Sequence, residues 1–180
     1  MSEEIDQEQY TRELEQLIEF SRKVNSYLDL EIIFLEISNY ILQNFSIDGT
    51  QLYLVDKDQN NLYYYNAVFP AAVSEEIKTL TKNTRIPLND DGGIHYLVYT
   101  RKRYLYLRRL RKSGNAYDDY IVDSWNLQSY FIVPLIIQDE VIGLMDFSNY
   151  ERKLDLSMPQ IESISRFCEQ ISAAINNASL

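Results

Sequence analysis

Residues 129–147 read Ser-Tyr-Phe-Ile-Val-Pro-Leu-Ile-Ile-Gln-Asp-Glu-Val-Ile-Gly-Leu-Met-Asp-Phe, two β-rich apolar runs divided by one polar break at Gln138, Asp139 and Glu140. That pattern predicts a hairpin of two interior strands. The alternate positions Phe131, Val133, Leu135 and Ile137 are apolar, and so are Ile132 and Ile136, so neither face of the sheet can be left to water. A sheet covered on both faces is the consequence, and the rest of the chain must supply the cover.

Helical periodicity supplies it. Tyr10, Leu14, Leu17, Ser21, Val24 and Leu28 recur at steps of four and three, the spacing of an apolar seam on a coiled-coil helix. Asp29 is placed to cap a second helix over 30–45 with Ile33, Phe34, Ile37, Ile41 and Leu42 as its buried stripe. Ser157 and Gln160 have the spacing of a capping box, and Ile161, Ile164, Cys168, Ile171, Ile175 and Ala178 then run at steps of three and four. Between these helices, strands are predicted over 50–55, 62–68, 85–88 and 104–107, with short helices around Ile77 and Leu80 and over 94–100. Residues 111–128, rich in aromatics, carboxylates and small polar groups, read as a loop with one short helix lying over a pocket.

Composition narrows the chemistry. Cys168 is the only cysteine and His95 the only histidine, which removes disulfide frameworks, thiolate zinc sites and two-histidine metal sites. A serine or cysteine nucleophile would have to use His95 as its base, and neither a glycine-flanked serine elbow nor a phosphate loop is present. The expectation is a module without catalytic residues, metal or cofactor. A formal charge of -10 opposes nonspecific attraction to nucleic acid or anionic lipid, so neither is expected as a partner. No run reaches the roughly 20 apolar residues of a spanning helix, and the lone cysteine suits a reducing cytoplasm.

Three features admit two readings each. Arg101, Lys102, Arg103, Arg108, Arg109, Arg111 and Lys112 interleave with Tyr104 and Tyr106, either as an anion or nucleic-acid surface or as the solvated flank of an edge strand. His95, just after Gly92 and Gly93, is either a ligand or a surface or hydrogen-bonded first-turn residue. Asp146, between Met145 and Phe147 on an interior strand, must find a donor, facing either the pocket or a helix cap.

The cadence of the hairpin resembles the two closing strands of a GAF domain. The stretch from Asp48 through Thr50 and Leu54 to Asp56 resembles that family's first strand, Gly93-Ile94 its middle helix, and Gln170 through Ala174 to Ala178 its closing helix. The resemblance implies an α/β (α+β) fold: a six-stranded, mainly antiparallel sheet with the terminal helices on one face and a ligand pocket on the other. Members that bind cyclic nucleotides carry an Asn-Lys, Phe, Asp-Glu signature. Here Asn149 matches, while Tyr150, Leu156, Gln160 and Ile161 depart from it, so cyclic AMP and cyclic GMP are not expected to bind tightly. Cys168 sits within an apolar stripe rather than as a bilin attachment point, and a single cysteine cannot reproduce the several used by methionine sulfoxide reducing members.

The resulting expectation is a cytoplasmic regulatory module in which residues 1–28 form a signalling and dimerisation helix and 29–180 the domain, with 157–180 a helix continuing into an output domain. A homodimer is expected through Tyr10, Leu14, Leu17, Val24, Ile164, Ile171 and Ile175. A small-molecule pocket is expected at Tyr64, Asn66, Ile94, Tyr117, Trp125, Ser129 and Phe131. The resemblance implies control of a signalling enzyme, first a nucleotide cyclase, or else a histidine kinase, diguanylate cyclase or phosphatase. A dimerisation scaffold whose pocket is filled by its own tyrosines is the alternative.

Overall fold

The computed structural model describes residues 11, 12, 14–16, 18, 19, 22 and 29–178. Residues 11–22, where described, are helical. The ordered elements are α1 (Leu30–Asn44), β1 (Gly49–Val55), β2 (Asn61–Val68), α2 (Glu75–Lys82), β3 (Arg85–Pro87), α3 (Gly93–Arg101), β4 (Leu105–Leu107), α4 (Ala116–Trp125), β5 (Ser129–Ile137), β6 (Glu140–Asn149) and α5 (Met158–Ala178). One antiparallel sheet has the strand order β3-β2-β1-β6-β5-β4. The hairpin read from residues 129–147 is β5 and β6, and with β1 it forms the middle of the sheet.

Local chemistry explains where elements begin. Asp29 accepts from the Glu31 amide at 2.9 Å, capping α1, and the capping box of Ser157 and Gln160 is made in both directions, at 2.9 and 3.4 Å. The short strand β4 lies at the sheet edge, with Arg101, Lys102, Arg103, Arg108 and Arg109 exposed on both sides of it. That is the edge-strand reading of the basic run, since charges flanking a short edge discourage pairing with another sheet.

Two cores lie on opposite faces of the sheet. On one, α1 and α5 pack over Leu52, Leu54, Phe131, Val133, Met145 and Phe147. On the other, α3 and α4 cover Tyr53, Leu62, Tyr130, Ile132 and Leu144, with Val98, Ile121 and Trp125 buried among them. Cys168 is 1% exposed within the first core, and burial pushes its thiol up, away from reactivity.

The helix-pair core corrects one expectation. Ile164 and Ile171 are 0% exposed and Ile175 8%, and all three pack within this protomer's own core. The stripe of α5 is spent on the sheet and α1, so these side chains are not available to a second copy. Leu14 is half-buried, while Tyr10, Leu17 and Val24 lie outside the described residues.

Candidate functional site

The helices α3 and α4 meet at their N-termini, and a chain of caps fixes the meeting. Asn115 accepts from the amides of Tyr117 and Asp118 at 2.9 and 3.1 Å, which starts α4. Its side-chain nitrogen donates to the Asp90 carbonyl at 2.9 Å. Asp118 is buried and accepts from the Ile94 amide at 3.1 Å, so a carboxylate from α4 caps α3. Gly93, at φ +57°, makes this approach possible, because a Cβ there would lie 2.3 Å from Asp118 Oδ1.

Beneath α3, a polar knot is sealed into the core. Asp146 Oδ2 lies 2.8 Å from His95 Nε2 and accepts from the Tyr130 hydroxyl at 2.6 Å. The side chains of His95 and Asp146 are 0% and 1% exposed. The rings of Tyr53, Tyr117 and Tyr130 stand edge-on to the imidazole with centroids 5.9, 5.7 and 5.7 Å away. Burial pushes the Tyr53, Tyr117 and Tyr130 phenols well above their ordinary value; the Asp146 charge adds to this in each case. Among the described residues His95 Nδ1, Asp146 Oδ1 and Trp125 Nε1 are buried without a hydrogen-bond partner. Such groups are few in folded chains, and each carries a desolvation cost.

Beside the knot, a cavity of about 340 Å³ opens between β4, the segment that follows it and α4. Ile94, Leu107, Leu110, Ile121 and Val122 form its apolar wall, with Arg109, Arg111, Ser113 and Asp118 at its polar margin. A wider groove of about 750 Å³ lies between the β4 edge and α5, lined by Arg103, Tyr104, Val133 and Glu169 among others. Among the described residues no group of three or more His, Cys, Asp or Glu side chains is arranged to hold a metal ion.

The pocket residues expected from sequence divide between the two faces. Tyr64, Ile94, Tyr117 and Trp125 gather in the α3/α4 core, and Ile94 also lines the 340 Å³ cavity. Phe131 does not join them. It stacks on Phe147 at 5.7 Å in the helix-pair core. Ser129 donates to the Arg108 carbonyl at 2.7 Å and accepts from the Leu154 amide at 2.9 Å, tying down two chain segments. Asn66 pairs with Leu52 of the helix-pair core, whereas Tyr64 pairs with Tyr53 on the other face, because the β1–β2 register shifts between Leu52 and Tyr53.

Tyr130 and Asp118 escape the sequence reading as site residues, and Arg109 enters it only as part of the basic run. Hairpin register was the available signal for Tyr130. Pairing Ile132 with Asp146 and Tyr130 with Ser148 puts both Tyr130 and Asp146 on the face opposite Phe131 and Phe147.

Comparison with known proteins agrees with this architecture. A model of the GAF domain family matches residues 29–175. The formate hydrogenlyase transcriptional activator FhlA of Escherichia coli strain K12 is 22% identical over 170 residues, which cover 90% of this chain and 23% of that protein. The chain thus spans less than a quarter of that curated relative. Among solved structures, a GAF domain/HD domain protein from Geobacter sulfurreducens superposes with a TM-score of 0.72 at 11% identity, covering 87% of this chain and 97% of that one. The free methionine-R-sulfoxide reductase from Neisseria meningitidis, in complex with its substrate, has a TM-score of 0.67 at 16% identity, covering 91% and 87%. At such identities the likeness establishes the shared fold.

Proposed function

Because the chain belongs to the GAF domain family of regulatory modules in signalling proteins, we propose that it senses a small molecule on the α3/α4 face and passes the change to a signalling output through its helices. The observation that carries this reading is the 340 Å³ cavity between β4 and α4. Packed interiors leave few voids larger than a water molecule, and small-molecule sites are concave, mostly apolar and furnished with a few polar groups. Tyr64, Tyr117 and Trp125 border the same core. The substrate held by the Neisseria meningitidis reductase gives precedent for a ligand within this fold.

Transmission is proposed to run through β6. Asp146 faces the knot under α3, while its neighbours Met145 and Phe147 pack in the helix-pair core. A displacement of α3 therefore loads the strand on which α1 and α5 rest. The output is proposed to be a signalling domain, with a nucleotide cyclase as the first candidate, and the setting a reducing cytoplasm. A homodimer is proposed through the N-terminal seam of Tyr10, Leu14, Leu17 and Val24. A ligand-free scaffold is the second reading, favoured by the tyrosines that already fill the sheet face around His95.

Native mass spectrometry of the purified chain, joined to a thermal-shift screen of metabolites, separates the two. A retained or added small molecule that raises the midpoint is the expected result. A chain that is empty and unresponsive throughout overturns the sensor and leaves the scaffold.

A further inference from the structure

We propose that the cavity between β4 and α4 takes a monocarboxylate with a compact apolar body, its carboxylate held by Arg109 and Arg111 and its body lying against Ile94, Leu107 and Ile121. This rests on the sensor reading and gives its ligand a chemical class.

The basic run is not uniform in the structure. Arg108 pairs with Asp155 at 2.8 Å, Lys112 with Asp123 at 2.7 Å and Lys102 with Asp139 at 3.0 Å. Among the described residues Arg101, Arg103, Arg109 and Arg111 have no ion-pair partner, and of these Arg109 and Arg111 line the apolar cavity. A guanidinium presents paired donors matched to a carboxylate. Set at the mouth of an apolar chamber, two of them select a ligand with one anionic end and one apolar end. At about 340 Å³ the chamber lies near the lower limit of ligand sites, which keeps the body small.

Asp118 limits the charge of the ligand. It lines the same cavity and already occupies the N-terminus of α3, accepting from the Ile94 amide and from the Ser113 hydroxyl at 3.1 Å each. The position at which a helix would otherwise receive an anion is therefore taken by the chain's own carboxylate. A second negative group on the ligand would meet that charge, so dicarboxylates and phosphate esters are selected against.

Trp125, the only tryptophan of the chain, is buried in the adjoining core and serves as reporter. Calorimetry and Trp125 fluorescence would be measured with 3-phenylpropionate and 4-methylvalerate, with the primary amide of each, and with inorganic phosphate. The doubly substituted Arg109→Gln, Arg111→Gln chain would be measured alongside. At least one acid is expected to bind, its amide about tenfold or more weaker, and the substituted chain weaker to the same degree with an unchanged thermal midpoint, since both arginines are exposed. An amide as tight as its acid, a substituted chain that keeps full affinity, or phosphate bound as well as the acids overturns the ligand class and leaves the sensor standing. The class also falls alone if native mass spectrometry finds a ligand of another chemistry. If no small molecule binds and the chain is empty, both fall.

Discussion

Alkaline pH is expected to unfold this domain through its tyrosines. Tyr53 and Tyr130 are 1% exposed, and Tyr117, half-buried as a residue, also has its phenol pushed well up by burial, with the Asp146 charge adding to all three. In the unfolded chain the same phenols ionise near pH 10. Above that pH the native state keeps protons that the unfolded state has released, so stability falls as pH rises. The stabilisation is complete below about pH 10 and is lost progressively up to the native pKa values. Each such phenol removes roughly 1.4 kcal/mol per pH unit, and three remove up to about 4 kcal/mol per unit. A domain stable by about 5–15 kcal/mol is then exhausted within roughly one to four units above pH 10.

Tyrosinate absorbance and far-UV circular dichroism followed together along a pH titration test this. The Tyr53, Tyr117 and Tyr130 phenols are expected to ionise in a phase that coincides with the loss of the dichroism. Tyr117→Phe removes one titrating hydroxyl without touching the hydrogen bond to Asp146, and the alkaline slope is expected to fall by up to about 1.4 kcal/mol per pH unit. A single reversible ionisation near pH 10, with the dichroism native throughout, would refute the reasoning.

Asp146→Ala removes the acceptor shared by the Tyr130 hydroxyl and His95 Nε2 and leaves them only their own 3.4 Å contact, at about 1–3 kcal/mol, and urea unfolding that shows a loss under about 1 kcal/mol would count against the knot. Gly93→Ala combines a positive φ with a clash against Asp118; a loss of about 1–3 kcal/mol or more is expected from denaturation midpoints. Ile171→Ala is expected to cost about 2–5 kcal/mol as a core truncation while light scattering shows an unchanged oligomeric state, because the side chain is buried within its own protomer. Cyclic AMP and cyclic GMP are expected to bind no tighter than about 1 μM, or roughly -8 kcal/mol, by calorimetry.

The order of elements was legible because each carries its own local signal. Asp29 and the Ser157/Gln160 pair mark helix starts by caps that the structure makes, and the double-apolar hairpin identifies the middle of the sheet. Which face a strand residue serves was less legible. A strand apolar at both parities says that two faces are covered but not by what, so Phe131 reads as a pocket residue although it packs in the core of α1 and α5. On β2 the register shift between Leu52 and Tyr53 sends Tyr64 and Asn66 to opposite faces, although simple alternation would put them together.

The α5 stripe shows the same limit at a higher level. Steps of three and four describe a helix with one apolar side, and that side is identical whether it meets a second chain or the helix's own sheet. Only the tertiary structure decides, and here the sheet and α1 claim it. His95 is the extreme case. Its partner Asp146 is 51 residues away, and nothing near Gly92 and Gly93 indicates that this histidine is fully buried. The acid carries half of the signal: a carboxylate on an interior strand requires a donor, and only the folded sheet identifies the donors as Tyr130 and His95.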